Sequence, residues 1–201
     1  TYKVKINSNS GSYRPKFDSS GDEDQITSVK VSVEDSSLFG TNIERAFYGA
    51  QNMTEYTQVA AATSAVTDFE RTWQNCSGLT EFPLIDTSSG TNFNSTWNSN
   101  SSLTSFPLIN TSSATHLNST WIDCTGLTAF PLIDTSSVTN FTNTWRGCTG
   151  IGGSFPLIDT SSGTNFSSTW VGCSGITTFP LIDTSSGTTF ASTWNGCSGI
   201  G

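Results

Sequence analysis

FPLIDTSSGTNFSSTW, Phe155 to Trp170, recurs from Phe82 as FPLIDTSSGTNFNSTW and from Phe179 as FPLIDTSSGTTFASTW, with close variants starting at Phe106 and Phe130. Polar text repeated almost verbatim marks a chain in which each unit meets a copy of itself. The tryptophans set the register at 73, 97, 121, 145, 170 and 194, a period of 24 with one step of 25. The extra residue falls in GIGGSF, residues 150–155, where Gly-Gly can absorb an insertion as a bulge or loop.

Within each unit the apolar residues have fixed places. Phe69, Trp73 and Cys76 stand at i, i+4 and i+7, and their counterparts repeat that spacing, which predicts one inward face on a short helical turn. Leu79, Phe82 and Leu84 follow L-x-x-L-x-L spacing, which predicts alternate inward residues on a short strand over Leu79 to Phe82. Pro83 and its copies at 107, 131, 156 and 180 cannot donate a ladder hydrogen bond, so the strand ends there or turns that position outward. The DTSSGTNF arm is expected as a turn, with Asp86, Thr87 and Ser88 closing local hydrogen bonds to backbone N–H groups.

Earlier residues carry the pattern less faithfully. ERAFYGAQNMTEY from Glu44 aligns with ERTWQNCSGLTEF from Glu70, giving a degenerate first repeat that starts near Ile43. Terminal repeats differ because one face meets no neighbour. Before it, TYKVKI and SVKVSVED alternate apolar and polar residues like two strands, separated by a Gly-, Ser- and charge-rich stretch. The expectation is a small β cap or attachment segment over residues 1–40, then about seven 24-residue rungs over 41–201, the last incomplete. The closing NGCSGIG copies the start of RGCTGIGGSFPL and stops where the next Phe-Pro would fall, so both ends are expected to be cut or processed, which leaves open whether repeats follow residue 201.

The unit IDTSSVTNFTNTWRGCTGI, Ile133 to Ile151, resembles the W-D-T-S-x-V-T-x-M-x-x-M-F-x-x-C-x-x-L pattern of BspA-like leucine-rich-repeat surface proteins. The resemblance covers roughly residues 43 to 201. It departs in using Phe and Trp where the family often has Met and Phe, Ile151 at the final Leu, and Gly90, Gly163 and Gly187 at the usual Val. It implies a leucine-rich-repeat-like, right-handed β/helical-turn solenoid with a parallel sheet, displayed on bacterial surfaces or in fibre-like phage proteins for adhesion or receptor binding. Rungs about 4.8 Å apart would give seven of them a length of about 30 Å or more, extensible by adding copies.

Composition narrows the function. The net charge is −8, and of eight Lys and Arg only Arg146 lies beyond Arg71, so the repeats present no basic stripe to phosphates and nucleic acid is not an expected partner. No apolar run approaches the roughly 18 residues that cross a bilayer. The five cysteines occupy one position on successive rungs, with parallel side-chain vectors poorly suited to bridging, and are read as buried free thiols. The Asp86, Asp134, Asp159 and Asp183 ladder, interrupted by Asn110, is read as turn-closing, with Ca²⁺ binding between rungs as the alternative. His116 has no nucleophile or carboxylate converging on it, and no repeat carries a catalytic set, a metal cluster or a cofactor loop, so no enzyme and no cofactor are expected.

Positions that change while the core repeats are free to encode a surface. One set follows Trp and includes Ile122, Asp123, Arg146 and Val171; the other precedes Phe-Pro and includes Glu81, Ser105, Ala129, Ser154 and Thr178. Ile122, Arg146 and Val171 stand out, since exposed apolar and Arg side chains are frequent contact formers. The expected function is non-enzymatic recognition of a cell-surface glycan or protein receptor, outside the cell on a bacterial surface or virion. The alternatives are a structural spacer that assembles by end-to-end stacking or as a homo-oligomer, and an ice-binding array built on the Thr columns at 87 and 91.

Overall fold

The computed structural model describes residues 3–4, 26–31, 39–58 and 60–200. Successive 24-residue units lie one on the next in constant register. Parallel bridges run Asn42, Asp68, Asn92, His116, Asn140, Asn165, Thr189, each to the corresponding residue one unit on. Regular secondary structure is sparse: β1 (Lys3–Val4), β2 (Ser28–Val31), β3 (Glu55–Gln58), β4 (Gly153–Ser154), β5 (Ile176–Thr178) and a 3₁₀ turn at Ala60–Thr63. β1, β2 and β3 form one parallel sheet in that order, and β4 pairs with β5 in a second. Val29 of β2 sits opposite Tyr56 of β3, so the first units continue the stacking direction of the later ones. The stretch expected to link the two N-terminal strands lies outside the described residues.

The core is a set of side-chain columns. Trp73, Trp97, Trp121, Trp145 and Trp170 are fully buried, and neighbouring indoles stack with centroids 5.7, 5.7, 5.9 and 5.6 Å apart. Edge-on to them runs the Phe column, with Trp73 4.9 Å from Phe82 and Trp97 5.3 Å from it. Such edge-to-face pairs add about 0.5–1.5 kcal/mol each beyond area burial. Phe, Trp and Cys point inward together, but the segment that carries them is not a helical turn. Arg71 (φ 55°) and Asn75 (φ 60°) adopt the left-handed conformation on either side of Trp73, and so do their counterparts in every unit. Alternate N–H groups of Phe69, Arg71, Trp73 and Asn75 then leave the segment and donate to Asn92, Asn94, Thr96 and Asn98 carbonyls at 2.7–3.0 Å. Inter-unit bonds replace the intrahelical ladder, which is why the segment cannot exist without its neighbour.

Two expectations for the Phe-Pro arm are corrected. Leu79 to Phe82 is not a strand. One backbone bond joins successive units there, such as Thr104 N–H to the Thr80 carbonyl at 3.0 Å and Thr128 N–H to the Thr104 carbonyl at 3.2 Å, and the following proline has no N–H with which to extend it. Leu84 does not point inward either: it is 60% exposed, while Ile85 is 2% exposed. The inward residues are Leu79, Phe82 and Ile85; the leucine between the last two is turned outward by a three-residue turn, in which the Ile109 N–H donates to the Pro107 carbonyl at 2.9 Å and Ile133 and Ile158 make the same bond to Pro131 and Pro156 at 3.0 Å. Beyond β3 in the first unit, the ladder on this arm lengthens at the inserted glycines, into β4 and β5, with a register shift between Gly153 and Ser154 that absorbs the extra residue.

Candidate recognition surface

Burial sorts the polar columns into those that serve the stack and those that face outward. The Thr that precedes each Trp is buried, and its hydroxyl donates backward to the preceding unit: Thr96 Oγ1 to the Phe69 carbonyl and Thr120 Oγ1 to the Phe93 carbonyl, both at 2.9 Å. Thr87, Thr111, Thr135 and Thr160 are buried as well, each donating forward to the carbonyl of Asn110, Asp134, Asp159 or Asp183. This corrects the expectation of a surface Thr array at 87. Thr91, Thr115, Thr164 and Thr188 are exposed, yet their hydroxyls are committed to the preceding Thr carbonyl. Two invariant Thr columns are therefore core residues, and one of them, at 87, had been expected at the surface. Invariance did not separate them, because the Thr91 column repeats as faithfully and is exposed.

The Asp ladder closes turns. Asp134 Oδ1 accepts the Ser136 N–H at 3.0 Å and its hydroxyl at 2.7 Å, and Asp86 and Asp159 do the same with Ser88 and Ser161. The Ser136 backbone and hydroxyl hydrogen bonds hold the Asp134 carboxyl below the usual carboxylate range. Among the described residues no group of three His, Cys, Asp or Glu side chains comes together. His116 stands exposed in the Asn column with Nδ1 2.8 Å from Thr115 Oγ1. The cysteines are free, and Cys76, Cys124, Cys148 and Cys173 are buried. Each thiol approaches the Trp-position carbonyl of the preceding unit, as Cys124 Sγ does Trp97 O at 3.1 Å. Burial pushes the Cys124 and Cys173 thiols up to about 12, which leaves them without thiolate character.

Two variable sets remain. The first lies on the Phe-Pro arm: Glu81, Ser105, Ala129, Ser154 and Thr178 are all exposed and form one column. Beside it, adjacent units leave shallow recesses. One of about 300 Å³ lies between Thr54–Thr57 and Thr80–Pro83, and one of about 250 Å³ between Thr104–Phe106 and Thr128–Pro131. The second set follows Trp: Arg146 is exposed, and Ile122 and Val171 are half-buried. Asp123 is exposed, but it occupies a position held at positive φ in every unit (54° here), where Gly147, Gly172 and Gly196 stand later in the chain. Its carboxylate leans over Gly147, where an added Cβ would come within 2.0 Å of Asp123 Oδ1. Because Trp97 and Phe82 meet across the core, the outward residues of their two segments lie on opposite sides of the stack. The structure thus brings Glu81, Ser105, Ala129 and Thr178 together on one side and Ile122, Asp123, Arg146 and Val171 on the other.

Sequence reasoning missed a third outward feature, the leucines after each Phe-Pro, because their spacing was read as inward. No helix among the described residues is long and apolar enough to cross a membrane. No family model matches the chain, and neither curated proteins nor solved structures give a match.

Proposed function

We propose that this chain is a non-enzymatic recognition module: a right-handed, leucine-rich-repeat-like solenoid of the BspA-like type that presents outward columns to a glycan or protein receptor, on a bacterial surface or a virion. One observation carries the reading. Beneath, the Trp, Phe, Thr and Cys columns scarcely change from unit to unit; outside, the post-Trp column runs Gln74, Asn98, Ile122, Arg146, Val171, Asn195. A surface that varies over an invariant scaffold can encode a ligand without disturbing the fold. Arg146, exposed and without a salt bridge among the described residues, supplies a planar donor fork for carboxylates or sugar hydroxyls, flanked by the apolar Ile122 and Val171.

The test is binding of the purified chain to intact bacterial cells and to a glycan array, beside a variant carrying Ile122→Ser, Arg146→Ser and Val171→Ser. Circular dichroism establishes that both are folded alike. Binding by the native chain and its loss in the variant is the expected result. A folded native chain that binds neither cells nor glycans would sink the reading and favour the structural spacer.

A further inference from the structure

A ridge of leucines runs along the Phe-Pro side of the stack. Leu84, Leu108, Leu132 and Leu157 are 60%, 62%, 60% and 61% exposed, and Leu181 is 98% exposed. Four near-identical values mean that the fold repeats this exposure rather than tolerating it once. At about 100 Å² each, five leucines on adjacent units present about 500 Å² of apolar surface, the size at which patches on soluble proteins act as contact sites. One to four residues back along the chain lie the recesses between Thr104–Phe106 and Thr128–Pro131 and between Thr54–Thr57 and Thr80–Pro83. Ridge and recesses are therefore neighbours: the leucine repeats with the unit, and the recesses open at two of the junctions beside it.

We propose that this face pairs with the same face of a second copy, antiparallel about a two-fold axis, so that the leucines of each chain lie along the groove of the other. A second copy is the occupant whose ridge is commensurate with these recesses, since the stacking distance that spaces its leucines also spaces the junctions at which the recesses open. An isologous contact needs one patch that is complementary to itself, which an adjacent ridge and groove supply. The leucines, the prolines before them and the groove rims approach the about 800 Å² that each partner buries in a stable interface. Charge adds a signature. Glu81 stands at the groove, and Asp86, Asp134, Asp159 and Asp183 follow the leucines by two residues, while Arg146 lies on the opposite side. Two such faces repel at low salt, so screening strengthens their pairing, whereas it weakens the docking of a basic peptide. Pairing covers the Glu81, Ser105, Ala129 and Thr178 column and leaves the Ile122, Arg146 and Val171 column free.

Sedimentation of the whole chain at about 100 µM, well above the Kd of a specific interface of this size, tests the proposal. The variant is Leu108→Ser with Leu132→Ser, two exposed positions at which the core is untouched. Expected are a two-chain mass for the native protein, a dimer fraction that rises from about 0.05 to about 1 M salt, and a one-chain mass for the variant with unchanged circular dichroism and melting. A one-chain mass for the native protein at high salt, a dimer that the substitutions leave intact, or a dimer that salt dissociates would each overturn it. Receptor binding through the opposite side is unaffected by these substitutions, so its outcome is read separately.

Discussion

Asn100 interrupts the cysteine column, and replacing it with Cys should stabilise the protein. Its side chain is fully buried; Oδ1 accepts the Cys76 N–H at 2.8 Å, but Nδ2 has no partner among the described residues. A buried amide donor left unpaired costs about 1–3 kcal/mol, and the hydrogen bond that Oδ1 makes contributes about 0.5–1.5 kcal/mol in return. Where Cys holds the position, the thiol reaches the Trp-position carbonyl of the preceding unit at 2.9–3.1 Å. The Cys N–H turns back to its own Trp carbonyl, as Cys124 does at 3.3 Å and Cys148 at 3.1 Å. Asn100→Cys frees the Cys76 N–H to make that same bond, so little is lost when Oδ1 goes and the orphan Nδ2 is removed. The net gain is about 1 kcal/mol, or about 2–4 °C in melting temperature for a chain of this length. Thermal unfolding followed by circular dichroism measures it, with Cys148→Asn as the reciprocal change, expected to lose about as much. A melting temperature that is unchanged or lower in Asn100→Cys would refute the reasoning.

Close approach between units gives a second expectation: a Cβ on Gly150 would lie 2.4 Å from the Thr125 carbonyl and 2.7 Å from that of Leu127. Gly150→Ala should therefore cost about 1–3 kcal/mol in chemical unfolding, as overpacking does, and a neutral effect would contradict the observed stacking. The thiols of Cys76, Cys124, Cys148 and Cys173 should resist a disulfide reagent until the protein unfolds, with the partly buried Cys197 reacting first; equal rates for all five would argue against the burial pattern. Acid should destabilise the chain through its turn-closing aspartates. The folded pKa values of Asp134, Asp159 and Asp183 are lowered, so their contribution is present above the unfolded carboxylate pKa and fades as pH falls through the folded one. Melting temperatures that stay flat from about pH 6 to about pH 3 would refute it. Trp145→Ala, which empties a fully buried place between two stacked indoles, should cost about 3–5 kcal/mol.

The period, the stacking order and the inward Phe, Trp and Cys were legible because a repeated sequence reports its own register. What was not legible follows from one physical fact: most hydrogen bonds of each unit go to its neighbours. Spacing rules for Phe69, Trp73 and Cys76 presuppose a helix that satisfies itself, yet the N–H groups of Phe69, Arg71 and Trp73 are satisfied by the next unit. The inward face was therefore right and the helix wrong. Thr87 and Thr96 read as surface by residue type, but a stacked backbone presents carbonyls at its core edge, and a buried hydroxyl that donates to one is a satisfied core group.

Leu84 shows the converse case. A leucine after Phe-Pro was placed inside because a pleated strand alternates, whereas a three-residue turn, closed by the N–H of Ile109 on the Pro107 carbonyl, puts the leucine at its outer corner and the isoleucine inward. Burial would have favoured any arrangement that hid Leu84, so its exposure in unit after unit follows from the backbone and not from a packing defect. The chain also holds Leu there in every unit that has the Phe-Pro, although a polar residue at so exposed a place would cost the stack nothing. The scaffold requires the turn and not the leucine, which makes the ridge the part of the repeat that the fold alone does not explain and that a contact with another surface does.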